Sequence, residues 1–163
     1  GSLQSWVKPG DLVMATAVVR EEGTTRQYIP ISYPAAPDFV TLSALIESVK
    51  KLGYSYHYGI THCQDAFYTE INQGHPMDEE NAKLWTCWRK ANVLATSMEA
   101  SAIFILSSLK KLRAAEVVAI IGETYDEKPF SGATEKDAIV EKAIKTAIEA
   151  IKLLHVNDNK KIT

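Results

Sequence analysis

Between the turn signal Lys8-Pro9-Gly10-Asp11 and the charged Arg20, the run Leu12-Val13-Met14-Ala15-Thr16-Ala17-Val18-Val19 shows no alternation of polar and apolar positions. A short β-branched run that is apolar on both faces predicts a strand covered on each side. The stretch 20–37 is rich in Gly, Thr and Pro and predicts a long loop or extended hairpin, a length usually retained for function. From Asp38, a candidate N-cap, Phe39, Leu42, Leu45, Ile46, Val49 and Leu52 recur at helical spacing until Gly53 stops the run. Tyr56 to Thr61 predicts a second strand, and 62–77 a polar segment. Asp78 to Ala91 predicts a helix whose leading carboxylates Asp78, Glu79 and Glu80 suit the positive end of its dipole. Val93-Leu94-Ala95 predicts a very short strand. Met98 to Leu112 is apolar nearly all round, the pattern of a buried helix. Glu116 to Ile121 predicts another buried strand. Val140, Ala143, Ile144, Ala147, Ile148, Ile151 and Leu154 then mark the inner stripe of a long last helix, with Thr134 as its cap.

Strands and helices therefore alternate, which predicts a layered α/β fold with a central mixed, largely parallel sheet flanked by helices. No internal repeat or low-complexity segment interrupts the order, so residues 1–156 read as one unit and 157–163 as a polar C-terminal tail prone to fray. A chain of 163 residues, 46% of them hydrophobic, suffices for one core. The net charge is -2 and the basic residues are spread over helical surfaces, which gives no electrostatic footprint for nucleic acid or an anionic membrane. With no bilayer-length apolar stretch and no charged-then-apolar leader, a cytoplasmic location is expected. Cys63 and Cys87 stand outside any Cys/His grouping and are expected as reduced core thiols. His57 and His62 do not share the helical face of a metal pair, so no metal is expected.

In α/β folds, ligands gather beyond the carboxyl ends of the strands, which directs attention to the loops after Val19, Thr61, Thr96 and Ile121. These carry Arg20, Arg26, Gln64, Asp65, Phe67, Tyr68, Ser97, Met98, Glu99, Glu123 and Asp126. The set contains no nucleophile with an evident base, no phosphate-cradling glycine loop and no dinucleotide fingerprint. Glu99 leads it. A carboxylate in a first helical turn gains about 0.3–1 kcal/mol from the dipole with no ligand at all. At the head of an apolar helix, however, a buried carboxylate needs donors, and the vicinal diol of a sugar supplies two. Phe67 and Tyr68 serve either a core or a stacking surface for a base or sugar. Asp65 either caps a turn or holds a ligand. Glu123, after a buried strand and Gly122, is either a solvated loop charge or a crevice acid whose protonated form burial would favour.

Several segments occur in an order that resembles the nucleoside phosphorylase superfamily, and in detail the uridine phosphorylases. They are Gly1-Ser2-Leu3-Gln4, Lys8-Pro9-Gly10-Asp11-Leu12-Val13, "ATAVVREEGTTRQYIPISYPAAPDF" from Ala15 to Phe39, "GITHCQDAFY" from Gly59 to Tyr68, and the pair Met98-Glu99. The resemblance implies the nucleoside phosphorylase-like fold, here as an incomplete domain. Gly1 looks like the last glycine of the family's Gly-Thr-x-Gly turn, so the N-terminal half, with most of the phosphate-binding groups, is expected outside this chain. The implied activity is phosphorolysis of uridine to free base and ribose 1-phosphate in nucleoside salvage. Inorganic phosphate is the co-substrate, no cofactor is involved, and the implied assembly is a homo-oligomer, dimer or hexamer. By this resemblance Met98, Glu99 and Phe67 bind the ribose, and Gly1, Phe67 and Gln73 the base. Glu123 stands where uridine phosphorylases place an arginine and bacterial-type purine nucleoside phosphorylases an aspartate that protonates the leaving base, which makes it the candidate catalytic acid. A purine nucleoside phosphorylase is therefore the alternative, followed by a hydrolytic nucleosidase on the same fold and a catalytically degenerate nucleoside-binding module.

Overall fold

The computed structural model describes residues 1–69, 74–123 and 135–160, the side chains of Tyr68 and Lys160 excepted. Its strands are β1 (Leu12–Glu21), β2 (Tyr56–Gln64), β3 (Ala95–Ser97) and β4 (Val117–Ala119). Its helices are α1 (Phe39–Leu52), α2 (Asp78–Lys90), α3 (Ala100–Leu109) and α4 (Lys136–Lys160). The sheet order is β3-β2-β1-β4, with β1, β2 and β3 parallel and β4 antiparallel to β1. This is the mixed, largely parallel sheet that the alternation of elements predicts.

Local chemistry accounts for most of the boundaries. Asp38 caps α1, its Oδ1 accepting the Thr41 N–H at 2.8 Å. Gly53 ends the helix in the left-handed region at φ 70°, where a side chain would be strained. β1 and β2 outlast their apolar runs because the ladder continues through polar residues, pairing Arg20 with Cys63 and Glu21 with Gln64. His62 therefore lies within a strand rather than at its exit. β3 begins at Ala95, two residues beyond the start of its apolar run at Val93.

The helices pack on β1 and its neighbours. Leu12 and Met14 meet Leu42, Leu45 and Val49 of α1 and Ala143 and Ala150 of α4. Ala15, Val18 and Cys63 meet Ala100, Phe104 and Ile105 of α3. Val13 points the other way, into a cluster with Val7, Leu94, Ala95 and Ile120. The first residues curl the sheet back on itself. Ser2 bridges Ala95 on one side and Glu123 on the other, with Leu3 N–H donating to Leu94 O at 2.8 Å and Ser2 N–H to Gly122 O at 2.9 Å.

Three expectations change. α3 is shorter than its apolar run and is not buried all round: Ala100, Phe104 and Ile105 are covered, whereas Ile103, Leu109 and Leu112 face outward. The covered flank faces β1, Cys63 of β2 and the turn at Thr25–Gln27, and beyond the helix Lys111 takes a left-handed φ of 56°. α4 buries Ile139, Ala143, Thr146 and Ala150, so the inner stripe is narrower than the apolar pattern. Small Ala and Thr side chains make that contact, and Ile144, Ile148 and Ile151 remain 53%, 49% and 65% exposed. The helix also runs on to Lys160, into the segment expected to fray, where Arg113 Nη2 pairs with Asp158 Oδ2 at 2.6 Å. Of the two free cysteines Cys63 is a core residue, while Cys87 is exposed. Thr134 lies outside the described residues. No helix among them is long and apolar enough to cross a membrane.

Candidate active site

Because β1, β2 and β3 are parallel, their carboxyl ends form one rim, and Cys63 opposite Ser97 makes the exits of β2 and β3 neighbours. Met98 and Glu99 follow β3 directly. Glu99 occupies the N-cap position of α3 without a side-chain bond to the helix; its Oε2 accepts the Met98 N–H at 3.1 Å. Both residues are exposed, so the argument that a buried Glu99 needs a ligand to satisfy it does not hold. α3 starts only at Ala100 and leaves its outer flank open, which puts the carboxylate at the rim in water. Phe67 opens a single 3₁₀ turn, Phe67–Thr69, beyond β2 and is 46% exposed, an aromatic offered outward rather than packed in the core.

Backbone hydrogen bonds tie three of the sequence-predicted segments together. Gly1 O accepts the Thr96 N–H at 3.0 Å, two residues before Met98. The Ser2–Gly122 bond brings Glu123 to the same edge. Glu123 is half-buried and its Oε1 lies 3.3 Å from Lys8 Nζ, an ion pair rather than an acid set against apolar walls. Gln73 and Asp126 lie outside the described residues.

Other candidates turn out to hold the loops. Arg20 is buried, with its guanidinium on Thr25 Oγ1 at 3.0 and 3.1 Å and on the carbonyls of Pro30 and Ile31 at 3.0 and 3.2 Å, so it organises the 20–37 loop. Asp65 accepts the Gly23 N–H at 2.9 Å, a turn-capping role.

Residues 1–154 match the family model described as the Phosphorylase superfamily. The chain belongs to this superfamily. It is 33% identical over 161 residues to a uridine phosphorylase of Treponema pallidum (strain Nichols), covering 98% of this chain and 62% of that protein. It is 36% identical over 166 residues to a uridine phosphorylase of Thermococcus kodakarensis, covering 99% of this chain and 57% of that protein. A guanosine phosphorylase of Halorubrum lacusprofundi is 33% identical over 153 residues, covering 94% of this chain and 59% of that protein. The chain thus spans about three-fifths of the length of the curated relatives it matches.

Two polar groups of this phosphorylase-superfamily chain escaped the sequence reading. At the rim, His62 is fully buried, with Nε2 2.5 Å from Glu21 Oε2 and Nδ1 3.3 Å from Thr96 Oγ1. The Trp88 indole N–H donates to the same Glu21 oxygen at 3.0 Å, and the Trp85 ring meets the imidazole edge-on at 4.9 Å. Burial alone would raise the Glu21 carboxyl, but the His62 and Trp88 hydrogen bonds and the charges of His62 and Arg26 outweigh it and hold the group below its ordinary range. Glu21, Gln64, Asp65 and Asn81 then line a cleft of about 220 Å³ at the exit of β2. The second group surrounds Glu116, whose Oε2 accepts the Thr61 hydroxyl at 3.1 Å. Here burial prevails and pushes the carboxyl up, with Glu99 adding to the shift and the Ser97 and Thr61 hydroxyls opposing it.

The signals for these groups were weak but present. Two tryptophans three apart on α2 flag one apolar face, and a carboxylate opening an apolar strand flags a buried charge. No group of three or more His, Cys, Asp or Glu among the described residues is arranged to hold a metal ion. Chemically, the neighbouring exits of β2 and β3 carry an exposed carboxylate, a thioether and an outward-facing aromatic ring, groups able to accept hydroxyl hydrogen bonds and to pack a sugar or base face.

Proposed function

We propose that the full-length protein catalyses the phosphorolysis of a pyrimidine nucleoside, uridine, in nucleoside salvage. An oxygen of hydrogen phosphate bonds to C1′ while the C1′–N bond breaks and its electron pair leaves with the base; the phosphate's proton ends on the base nitrogen, directly or through water, giving ribose 1-phosphate and uracil. The observation that carries the reading is the convergence of Gly1, Met98-Glu99 and Gly122-Glu123 through the Thr96–Gly1 and Ser2–Gly122 hydrogen bonds, in a chain similar to two uridine phosphorylases. In this reading Glu99 accepts hydrogen bonds from ribose hydroxyls, Met98 and Phe67 pack the sugar, and Gly1, Phe67 and Gln73 meet the base. Glu99 also provides negative charge close to the cationic ribosyl group that develops as the bond breaks. Most of the phosphate contacts come from outside this chain, with phosphate as co-substrate and no cofactor. The proposed enzyme works in the cytoplasm as a homo-oligomer, dimer or hexamer, and the exposed row Ile144, Ile148 and Ile151 supports an assembly.

A second reading, release of a purine, is favoured by Glu123, an acid able to protonate a leaving purine, and by the similarity to a guanosine phosphorylase. Incubating the full-length protein with uridine or guanosine, with and without phosphate, separates these readings. Phosphate-dependent uracil release supports the first and guanine release the second. Base release at the same rate without phosphate replaces phosphorolysis by hydrolysis. Nucleoside binding without turnover leaves only a binding module.

A further inference from the structure

His62, the third residue from the end of β2, is fully buried and stands outside the reaction outlined above. A buried imidazole needs a partner at each nitrogen, and both needs are met. Nε2 lies 2.5 Å from Glu21 Oε2 at the end of β1, and Nδ1 lies 3.3 Å from Thr96 Oγ1 of β3. The Glu21 oxygen is itself fixed by the Trp88 indole N–H of α2 at 3.0 Å, and the Trp85 ring meets the imidazole edge-on at 4.9 Å. The ring is thus held from β1 and α2, and it passes that hold to one hydroxyl of β3. A hydroxyl pairs with Nδ1 in either protonation state, donating to the neutral ring and accepting from the charged one, so the contact survives a change in the charge of the ring.

β3 is three residues long, Ala95–Ser97, and Met98 and Glu99 follow it directly. His62 stands opposite Thr96 in the parallel ladder, while on the other side the Thr96 N–H donates to Gly1 O at 3.0 Å. Backbone bonds of this kind fix the height of a short strand. An anchored side chain fixes its rotation as well, and with it the direction in which the next residues leave. Glu99 depends on that direction, because no side-chain bond ties it to α3. We propose that His62 is a positioning residue for the sugar site: it grips Thr96 and so aims Met98 and Glu99 at the ribose. The inference rests on the reading of Glu99 as the ribose-binding carboxylate. Trp88, Glu21, His62 and Thr96 then form one line of hydrogen bonds from α2 to the strand that presents the site.

The test is a double-mutant cycle on kcat/KM in the full-length protein with saturating phosphate, for uridine or, where that is the nucleoside cleaved, guanosine. Its members are Thr96→Val, Glu99→Ala and the two combined, with His62→Gln and His62→Asn beside them, and circular dichroism confirms the folding of each. Thr96→Val removes the hydroxyl and leaves the backbone bond to Gly1. It is expected to lower kcat/KM about tenfold, the scale of one buried hydrogen bond, and to lower it no further once residue 99 is alanine. His62→Gln keeps a donor for Glu21 at the place of Nε2 but reaches no further toward Thr96, so it falls with Thr96→Val. His62→Asn, whose amide stands at the place of Nδ1, recovers most of that loss. A merely structural role gives the same loss with and without Glu99 and does not tell the two amides apart; either result overturns the proposal. Where the His62 variants do not fold, the cycle of Thr96 with Glu99 decides alone. If Glu99→Ala lowers kcat/KM while Thr96→Val leaves it unchanged, the sugar-site reading stands and this inference falls. If Glu99→Ala leaves kcat/KM unchanged, or neither nucleoside is turned over, both fall.

Discussion

Asp11, where the chain leaves its first turn, gathers the Lys8 N–H at 2.8 Å and His57 Nε2 at 3.0 Å on one carboxylate oxygen. Burial works to raise this carboxyl, but hydrogen bonds from Ser55, Lys8 and His57, together with the His57 charge, outweigh it and hold the group below the usual carboxylate range. A carboxyl lower in the folded than in the unfolded state contributes stability above about pH 4, lost as pH falls through the folded value. Asp11→Ala should therefore cost about 1–3 kcal/mol at neutral pH, with the deficit shrinking in acid, as urea titrations at the two pH values will show. In the proposed enzyme Glu99→Ala should lower kcat/KM by about a hundredfold, through KM for the lost hydroxyl hydrogen bonds and through kcat for the lost charge beside the developing cation. Met98 and Glu99 were legible as candidates because they close a strand and open a helix. Glu116 and His62 were not, since their importance comes from residues distant in the chain: Thr61 for the one, Glu21 and Trp88 for the other.

Among the elements, α1 is the one whose sequence carries every instruction locally: a capping aspartate, an apolar stripe and a terminating glycine. Gly53→Ala places a side chain at a φ of 70° and should cost about 1 kcal/mol in thermal or chemical denaturation. α3 shows the opposite case. Its apolar composition reads as full burial, yet composition cannot say how many flanks have partners, and here the sheet covers only the side bearing Phe104 and Ile105. Phe104→Ala should be correspondingly severe, about 3–5 kcal/mol in the same experiment, because it empties the contact between α3 and the sheet. α4 teaches the same lesson through shape. Alanines and a threonine fit the close contact with its neighbours, and the larger isoleucines beside them stay outside.

Across the whole molecule, the alternation of strands and helices made the α/β class and its largely parallel sheet readable, because period and order are local properties that accumulate. The return of residues 1–3 to Leu94, Thr96 and Gly122 was not readable, since it joins positions about a hundred residues apart and leaves no periodic mark. That closure draws the Gly1, Glu99 and Glu123 segments to one edge, the edge on which the proposed function rests. Leu3 is fully buried against Trp85 and Val93, so Leu3→Ala should cost about 2–5 kcal/mol and loosen the edge with it. The proposal that this edge belongs to a phosphate-dependent nucleoside-cleaving enzyme is tested by uracil release from uridine in the full-length protein with and without inorganic phosphate. Uracil and ribose 1-phosphate are expected in equal amounts only when phosphate is present; uracil release that proceeds equally well without phosphate, or no release of base from any nucleoside, would contradict the proposed phosphorolysis.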